Sequence, residues 1–353
     1  MRKNYIDNIR ITCILLLFPF HTCRVFTEEN FYVHANHVQW CDLFVKWMDP
    51  WFMPILFLLA GMSSYLSLNK RTMKEYISER VSKILIPFIC GVLLTVPIQT
   101  YYAEKFHNHF NGSYLEQLRL FFTKVTDLTG YTGGLTPAHL WFLLVLFLIS
   151  LIALPIILKI RQMKAEQFEG LENPIAIGLL FLIWIVGSFG QVADREILGY
   201  LILMVIGAIL CADEKLLEII QRYRKWYLGI VLLSSVLFYF DKTRQIGEMP
   251  MVLQYLNFYG RGWMTILAVL GYGMTYYNSR NQIQDYLRIA SFPIYEVHQT
   301  LLVVVAYYIV SKIPNLAGQY IGILVLSLVL SLVSYEILRS FKATRWMFGI
   351  KDR

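Results

Sequence analysis

Residues 9–26 read Ile-Arg-Ile-Thr-Cys-Ile-Leu-Leu-Leu-Phe-Pro-Phe-His-Thr-Cys-Arg-Val-Phe. The run is close to the roughly 20 apolar residues that cross a bilayer as a helix. It follows Arg2 and Lys3, but no small-residue cleavage site closes it, so it reads as a retained first span rather than a signal peptide. Polar residues interrupt it in a pattern. On an α-helix the eleven steps from Arg10 to His21 return to within about 20° of the start, three turns and about 16 Å along the axis. The two side chains therefore share a face, Asp7 and Arg24 fall near the same stripe, and Pro19 opens the backbone beside His21. Such a stripe belongs inside a helix bundle, either as a satisfied interhelical hydrogen-bond partner or as a functional group.

The rest of the chain is of the same kind. Its 353 residues are 57% hydrophobic and only 16% charged, against roughly 25% charged in soluble domains. Apolar runs recur at 9–26, 50–68, 83–102, 139–158, 174–192, 196–212, 226–240, 262–278, 292–311 and 317–338. These predict an all-α fold: a polytopic membrane helix bundle of about ten transmembrane helices in one domain spanning residues 1–353. Asp194, Arg195 and Glu196 separate the fifth and sixth runs, so a nine-span or re-entrant arrangement is the alternative there. Lysine and arginine concentrate in alternate connections, from Lys70 to Lys83, Lys159 to Lys164, Lys215 to Lys225 and Arg339 to Arg353. By the positive-inside rule this puts both termini in the cytoplasm. The net charge of +8 is spread over these short clusters, which excludes a nucleic-acid patch. The five cysteines lack the spacing of a zinc site or a disulfide framework. A Cys23–Cys41 bridge is open if both face an oxidising compartment. No metal site is expected, and no Gly-x-Ser-x-Gly elbow, His-Glu-x-x-His pair or Walker loop is present.

Beyond the first span, three clusters carry chemistry. Arg80 and Lys83, at i and i+3 before Ile84-Leu-Ile-Pro87, project to one side and form either a phosphate grip or a topology signal facing anionic headgroups. His139 and Trp141 open the fourth span in Leu135-Thr-Pro-Ala-His-Leu-Trp-Phe142. His139 reads as a contact for an acceptor sugar or for the outer end of the His21 line, or, with Trp141, as part of an interfacial belt of His and Trp. Glu296 and His298, in Phe292-Pro-Ile-Tyr-Glu-Val-His-Gln299, are placed at the inner end of the ninth span. Two residues apart, they lie on different helix faces and read as substrate contacts or as structural partners for cations.

Taken in order, these residues resemble the acyltransferase family 3 membrane proteins. The resemblance rests on Asp7 with Arg10-x10-His21, on Trp51-Phe-Met-Pro-Ile-Leu-Phe-Leu-Leu-Ala-Gly61, on Arg80-x-x-Lys83 running into Leu85-Ile-Pro87, on His139-Leu-Trp-Phe, and on Pro293-Ile-Tyr-x-x-His298-Gln. Phe258-Tyr-Gly-Arg-Gly-Trp263 and the late histidine motif look most like the branch that includes glucan biosynthesis protein C. One position departs: the family often has a second arginine where this chain has Lys83, which keeps the charge but loses the bidentate fork.

The resemblance implies a membrane-bound O-acyltransferase, multi-pass in a bacterial plasma membrane. Its donor would be cytoplasmic acyl-CoA, acetyl-CoA or succinyl-CoA, with no tightly bound cofactor. The acceptor would be a hydroxyl of a glycan, lipid-linked saccharide or similar molecule. The expected site has His21 as general base or transient acyl carrier, with Arg10 and Asp7 as the other catalytic residues. Arg80, Lys83 and Arg10 lie near the donor phosphates, and His139, Trp141, Glu296 and His298 line the substrate. A second reading is a transporter or exporter in which the Arg10 to His21 line relays protons or anions, although the chain shows no pairing of halves of the sort many transporters have.

Overall fold

A computed structural model describes residues 3–29, 31–123, 134–243 and 249–350. Arg2 and residues 351–353, which entered the charge argument, lie outside the described residues. So does the middle of the 103–138 connection. Fifteen α-helices follow one another: α1 (Asn4–Arg24), α2 (Gln39–Leu68), α3 (Met73–Arg80), α4 (Ile86–Leu94), α5 (Val96–His107), α6 (Tyr114–Thr123), α7 (Trp141–Ile160), α8 (Pro174–Leu179), α9 (Phe181–Ser188), α10 (Ile197–Ala212), α11 (Glu214–Lys242), α12 (Met251–Tyr276), α13 (Gln282–Lys312), α14 (Leu316–Leu338) and α15 (Lys342–Met347). A π-helical turn, Val81–Leu85, joins α3 to α4, and a 3-10 turn, Ala138–Leu140, leads into α7. Among the described residues an isolated bridge between Val192 and Arg195 is the extent of β-structure. The all-α fold is as the apolar periodicity predicts.

By length and composition six of these segments are able to cross a membrane: Asn4–Arg24, Gln39–Leu68, Met73–His107, Ala138–Ile160, Gln282–Lys312 and Leu316–Leu338. Two bent pairs raise the number to eight, Ala165–Leu171 with Pro174–Ser188 at 76° and Ile197–Ala212 with Glu214–Lys242 at 101°. The ten apolar runs therefore correspond to six to eight candidate crossings. The sixth and seventh runs fall in one bent pair and the eighth in α12, which is not among the six. Bends and stops follow local chemistry. Asp213 and Asn315 accept from the backbone N–H of Lys215 and Gly318, N-capping α11 and α14. Pro314, just before the second cap, removes a backbone donor where α13 ends.

The chain forms two compact units. The first comprises Met1–Cys13, Lys46–Ile77 and Leu148–Asn281. Within it α11 and α12 pack along their length, and α2 crosses α10 with backbones in contact. A Cβ on Gly61 would collide with the Met204 carbonyl, and one on Gly207 with that of Leu58. Pro50 breaks the hydrogen-bond ladder of α2. Arg261, 2% exposed, donates to the Trp47 carbonyl in that turn at 2.9 Å and lies 4.3 Å over the Phe238 ring. The arginine of the Phe-Tyr-Gly-Arg-Gly-Trp segment thus ties α12 to the proline-containing turn of α2. The second unit comprises Ile14–Val45, Ser78–Phe147 and Gln282–Arg353. There α13 packs against both α14 and α5, and its middle turns carry the site.

Candidate functional site

His21 stands one turn from the end of α1, two residues beyond the helix-internal Pro19. It is half-buried, its Nδ1 shut away without a hydrogen-bond partner. The Phe31 ring stacks on it at 6.1 Å with an interplanar angle of 18°. Phe31 is itself clamped: its N–H donates to His34 Nε2 at 2.8 Å and its carbonyl accepts from His107 Nε2 at 2.9 Å. Burial, with the His107 ring and the Arg24 guanidinium nearby, holds the His34 imidazole below its ordinary pKa.

Behind His21 lie two more imidazoles. The His298 ring centroid is 5.2 Å from that of His21 and 5.1 Å from that of His139. His298 is fully buried, and its Nδ1 lies 2.6 Å from the Tyr295 carbonyl. A carbonyl only accepts, so the proton of the neutral ring is on Nδ1. Nε2 is left as an acceptor, buried and without a partner. His139 is differently placed, because both its nitrogens are used. Nε2 donates to the Glu296 carbonyl at 3.1 Å, and Nδ1 accepts from Gln99 Nε2 at 3.3 Å.

Gln99 is the hub of this network. Its amide also donates to Thr300 Oγ1 at 2.8 Å and its oxygen accepts from Gln299 Nε2 at 3.0 Å, while Thr300 donates on to the Thr95 carbonyl at 3.2 Å. In hydrocarbon, where no water substitutes for a lost partner, such saturation is what holds polar side chains in place. The Tyr295 hydroxyl ties the other end of His139 by donating to its carbonyl at 2.6 Å. Just before His139, Ala138 has φ 47°, a left-handed conformation that strains a residue with a Cβ. Glu296 is 0% exposed and neither carboxyl oxygen has a partner among the described residues. It lies on the side of α13 within electrostatic reach of Cys90 on α4.

The structure thus gathers His21, His139 and His298, with the backbone of Glu296, in the second unit. Glu296 and His298 both lie on α13. Helix α13 begins at Gln282, well before the apolar run at 292, so the pair lies near its middle. The two side chains do point to different neighbours, as their two-residue separation predicts. Trp141 opens α7 with its ring edge-on to Phe142 at 6.4 Å.

The remaining candidates have other surroundings. In the first unit Arg10 pairs with Asp7 at 3.2 Å and donates to Ser63 Oγ at 2.8 Å. Arg10 and His21 remain on one continuous helix, α1. In the second unit Arg80 ends α3 and Lys83 lies in the π turn that follows, so the two are not on one regular α-helix. Lys83 Nζ donates to the Gly349 carbonyl at 3.1 Å, with the Ile350 carbonyl at 3.5 Å. The Cys23 and Cys41 thiols are free and hydrogen-bond to one another. Among the described residues no group of three or more His, Cys, Asp and Glu is arranged to hold a metal ion.

Sequence reading missed Gln99 and Thr300, and it carried Tyr295 and Gln299 only as members of the late histidine motif without a role. The signal was present in Val96-Pro-Ile-Gln-Thr100, an isolated amide in an apolar span. Phe31, His34 and His107 carried no comparable signal, since loop aromatics are common.

The model of the acyltransferase domain of family 3 matches residues 3–336. Proteins called glucans biosynthesis protein C from Salmonella paratyphi A, Salmonella agona and Salmonella paratyphi B are each 26% identical to the chain. Each alignment covers 99% of the chain and 95% of the relative. No solved structure gives a significant match. With a family match running through nearly every helix, the chain belongs to acyltransferase family 3 and is a multi-pass membrane acyltransferase.

Proposed function

We propose that the protein transfers an acetyl, succinyl or similar group from cytoplasmic acyl-CoA to a hydroxyl of a glycan or other saccharide, with His21 as the reacting imidazole, in a bacterial plasma membrane. The observation that carries this is His21 itself: an imidazole open on one side, with an unpartnered nitrogen, backed by two buried histidines. As a general base, His21 takes the hydroxyl proton while the hydroxyl oxygen attacks the thioester carbonyl. The C–S bond then breaks, and the imidazolium returns the proton to the departing thiolate. As an acyl carrier, the ring nitrogen makes that attack first and the hydroxyl displaces it. A thioester is activated enough for either route.

Arg80 and Lys83 are assigned to the donor phosphates, Lys83 sharing its ammonium with the C-terminal carbonyls, and Arg10 to the cytoplasmic half of α1 about 16 Å before His21. Trp141 and Glu296 are assigned to the substrate, and His139 to holding α13. The name of the Salmonella relatives supports a glucan as the acceptor. Family membership favours transfer over transport for the Arg10 to His21 line. The test is His21→Ala in purified, monodisperse protein supplied with acetyl-CoA or succinyl-CoA and a glucan oligosaccharide. Loss of acylation by 10²-fold or more, the order expected for a positioned base, supports the reading, and unchanged acylation refutes it.

A further inference from the structure

His298 is chemically unfinished where His139 is complete. Its proton is fixed on Nδ1 by the Tyr295 carbonyl, and Nε2 is an acceptor sealed from solvent with nothing to accept from. The adjacent ring, 5.2 Å away between centroids, is His21, whose Nδ1 is likewise buried and unpartnered. A neutral imidazole has one donor and one acceptor, so each of these rings has what the other lacks if His21 is protonated on Nδ1. Catalytic hydrogen bonds are commonly long without substrate and tighten in the reacting complex.

We infer that His298 is a positioning residue for His21. Its Nε2 accepts from the Nδ1–H of His21, fixing the tautomer that turns a bare Nε2 toward the acceptor hydroxyl. The inference rests on His21 being the reacting group and adds which of its nitrogens reacts and what orients it. The order is Tyr295 carbonyl, His298, His21, substrate. It parallels the arrangement in which a buried acceptor holds a catalytic histidine in the right tautomer without itself taking the proton. When His21 becomes imidazolium, the same contact becomes charge-assisted and shorter. Glu296 does not serve in this place, since it projects from another face of α13.

Two substitutions separate positioning from mere packing. His298→Asn keeps an N–H for the Tyr295 carbonyl but has no atom at the Nε2 position. His298→Gln reaches that position with an acceptor oxygen and loses the Tyr295 contact. Both are assayed with acetyl-CoA and a glucan oligosaccharide beside wild type and His21→Ala, after a check that each is monodisperse. If His298 positions His21, His298→Asn lowers kcat by about 10²-fold or more with KM for acetyl-CoA within about threefold, and His298→Gln recovers at least about tenfold of that loss. A glutamine variant no better than the asparagine variant overturns the inference, as does wild-type kcat in both. Wild-type transfer by His21→Ala instead overturns the functional reading beneath it.

Discussion

At the scale of single residues, the site is held from two sides by polar groups with different sensitivities. On the loop side, His34 must stay neutral to accept the Phe31 N–H, and its pKa is lowered by burial and by neighbouring His107 and Arg24. The folded chain therefore binds fewer protons at this position than the unfolded chain. The stability His34 contributes is present above its unfolded pKa of about 6.5 and is lost as the pH falls below it. The thermal midpoint in detergent is expected to fall between about pH 7.5 and about pH 5.5. His34→Gln, which retains an acceptor for Phe31, should flatten that fall; identical pH profiles in the two proteins would exclude His34 as the cause. On the helix side, Gln99→Leu leaves His139 Nδ1 without a donor and Gln299 without an acceptor. A loss of about 1–3 kcal/mol is expected, read as a lowered midpoint, and an unchanged midpoint would show the network to be dispensable. His21 was legible in the sequence because an ionisable group in an apolar run is costly. The way His298 differs from His139 was not, because it depends on which backbone carbonyl each ring meets, and spacing does not carry that.

At the scale of elements, the decisive features are places where a helix departs from regular α geometry. The π turn at Val81–Leu85 and the strap from α15 to Lys83 lie together at one end of the second unit. Lys83→Met, which removes the ammonium and keeps the stem, is expected to free the C-terminal segment. Limited proteolysis after Arg339 or Lys342 should accelerate severalfold, and Lys83→Arg should restore protection; equal cleavage in all three proteins would contradict the strap. The crossing of α2 and α10 makes a sharper demand. Gly61→Leu drives a side chain into the Met204 backbone and should abolish monodisperse protein. Gly229→Leu, where a Cβ meets nothing within 4 Å, should not. Helix identity was legible from apolar runs, and the caps at Asp213 and Asn315 from residue type. The bend between α10 and α11 and the early start of α13 were not, because hydropathy does not see polar turns that stay helical.

For the molecule as a whole, the charge bias predicts both termini on one face, which requires an even number of crossings. Of the six to eight candidate crossings, counts of six and eight meet that requirement and a count of seven does not. Reporter tags at the two ends are expected to read out on the same, cytoplasmic face, and readout on opposite faces would require an odd number of crossings. The broad class was legible because bilayer thickness sets one length scale for every span. The grouping of helices into units was not, because each unit is assembled from three separated stretches of chain.

That interleaving has a cost in time. His21, His139 and His298 are carried by segments made early, midway and late, so the three rings come together only once α13 is synthesised. At ~5–20 residues per second, the ribosome needs on the order of ten seconds or more to travel from His139 to His298. Throughout that interval the first helix sits in the bilayer or the insertion machinery with an imidazole that lacks its His298 neighbour. While it waits, that helix must hold an ionisable side chain in lipid on its own, a demand that the finished site no longer makes.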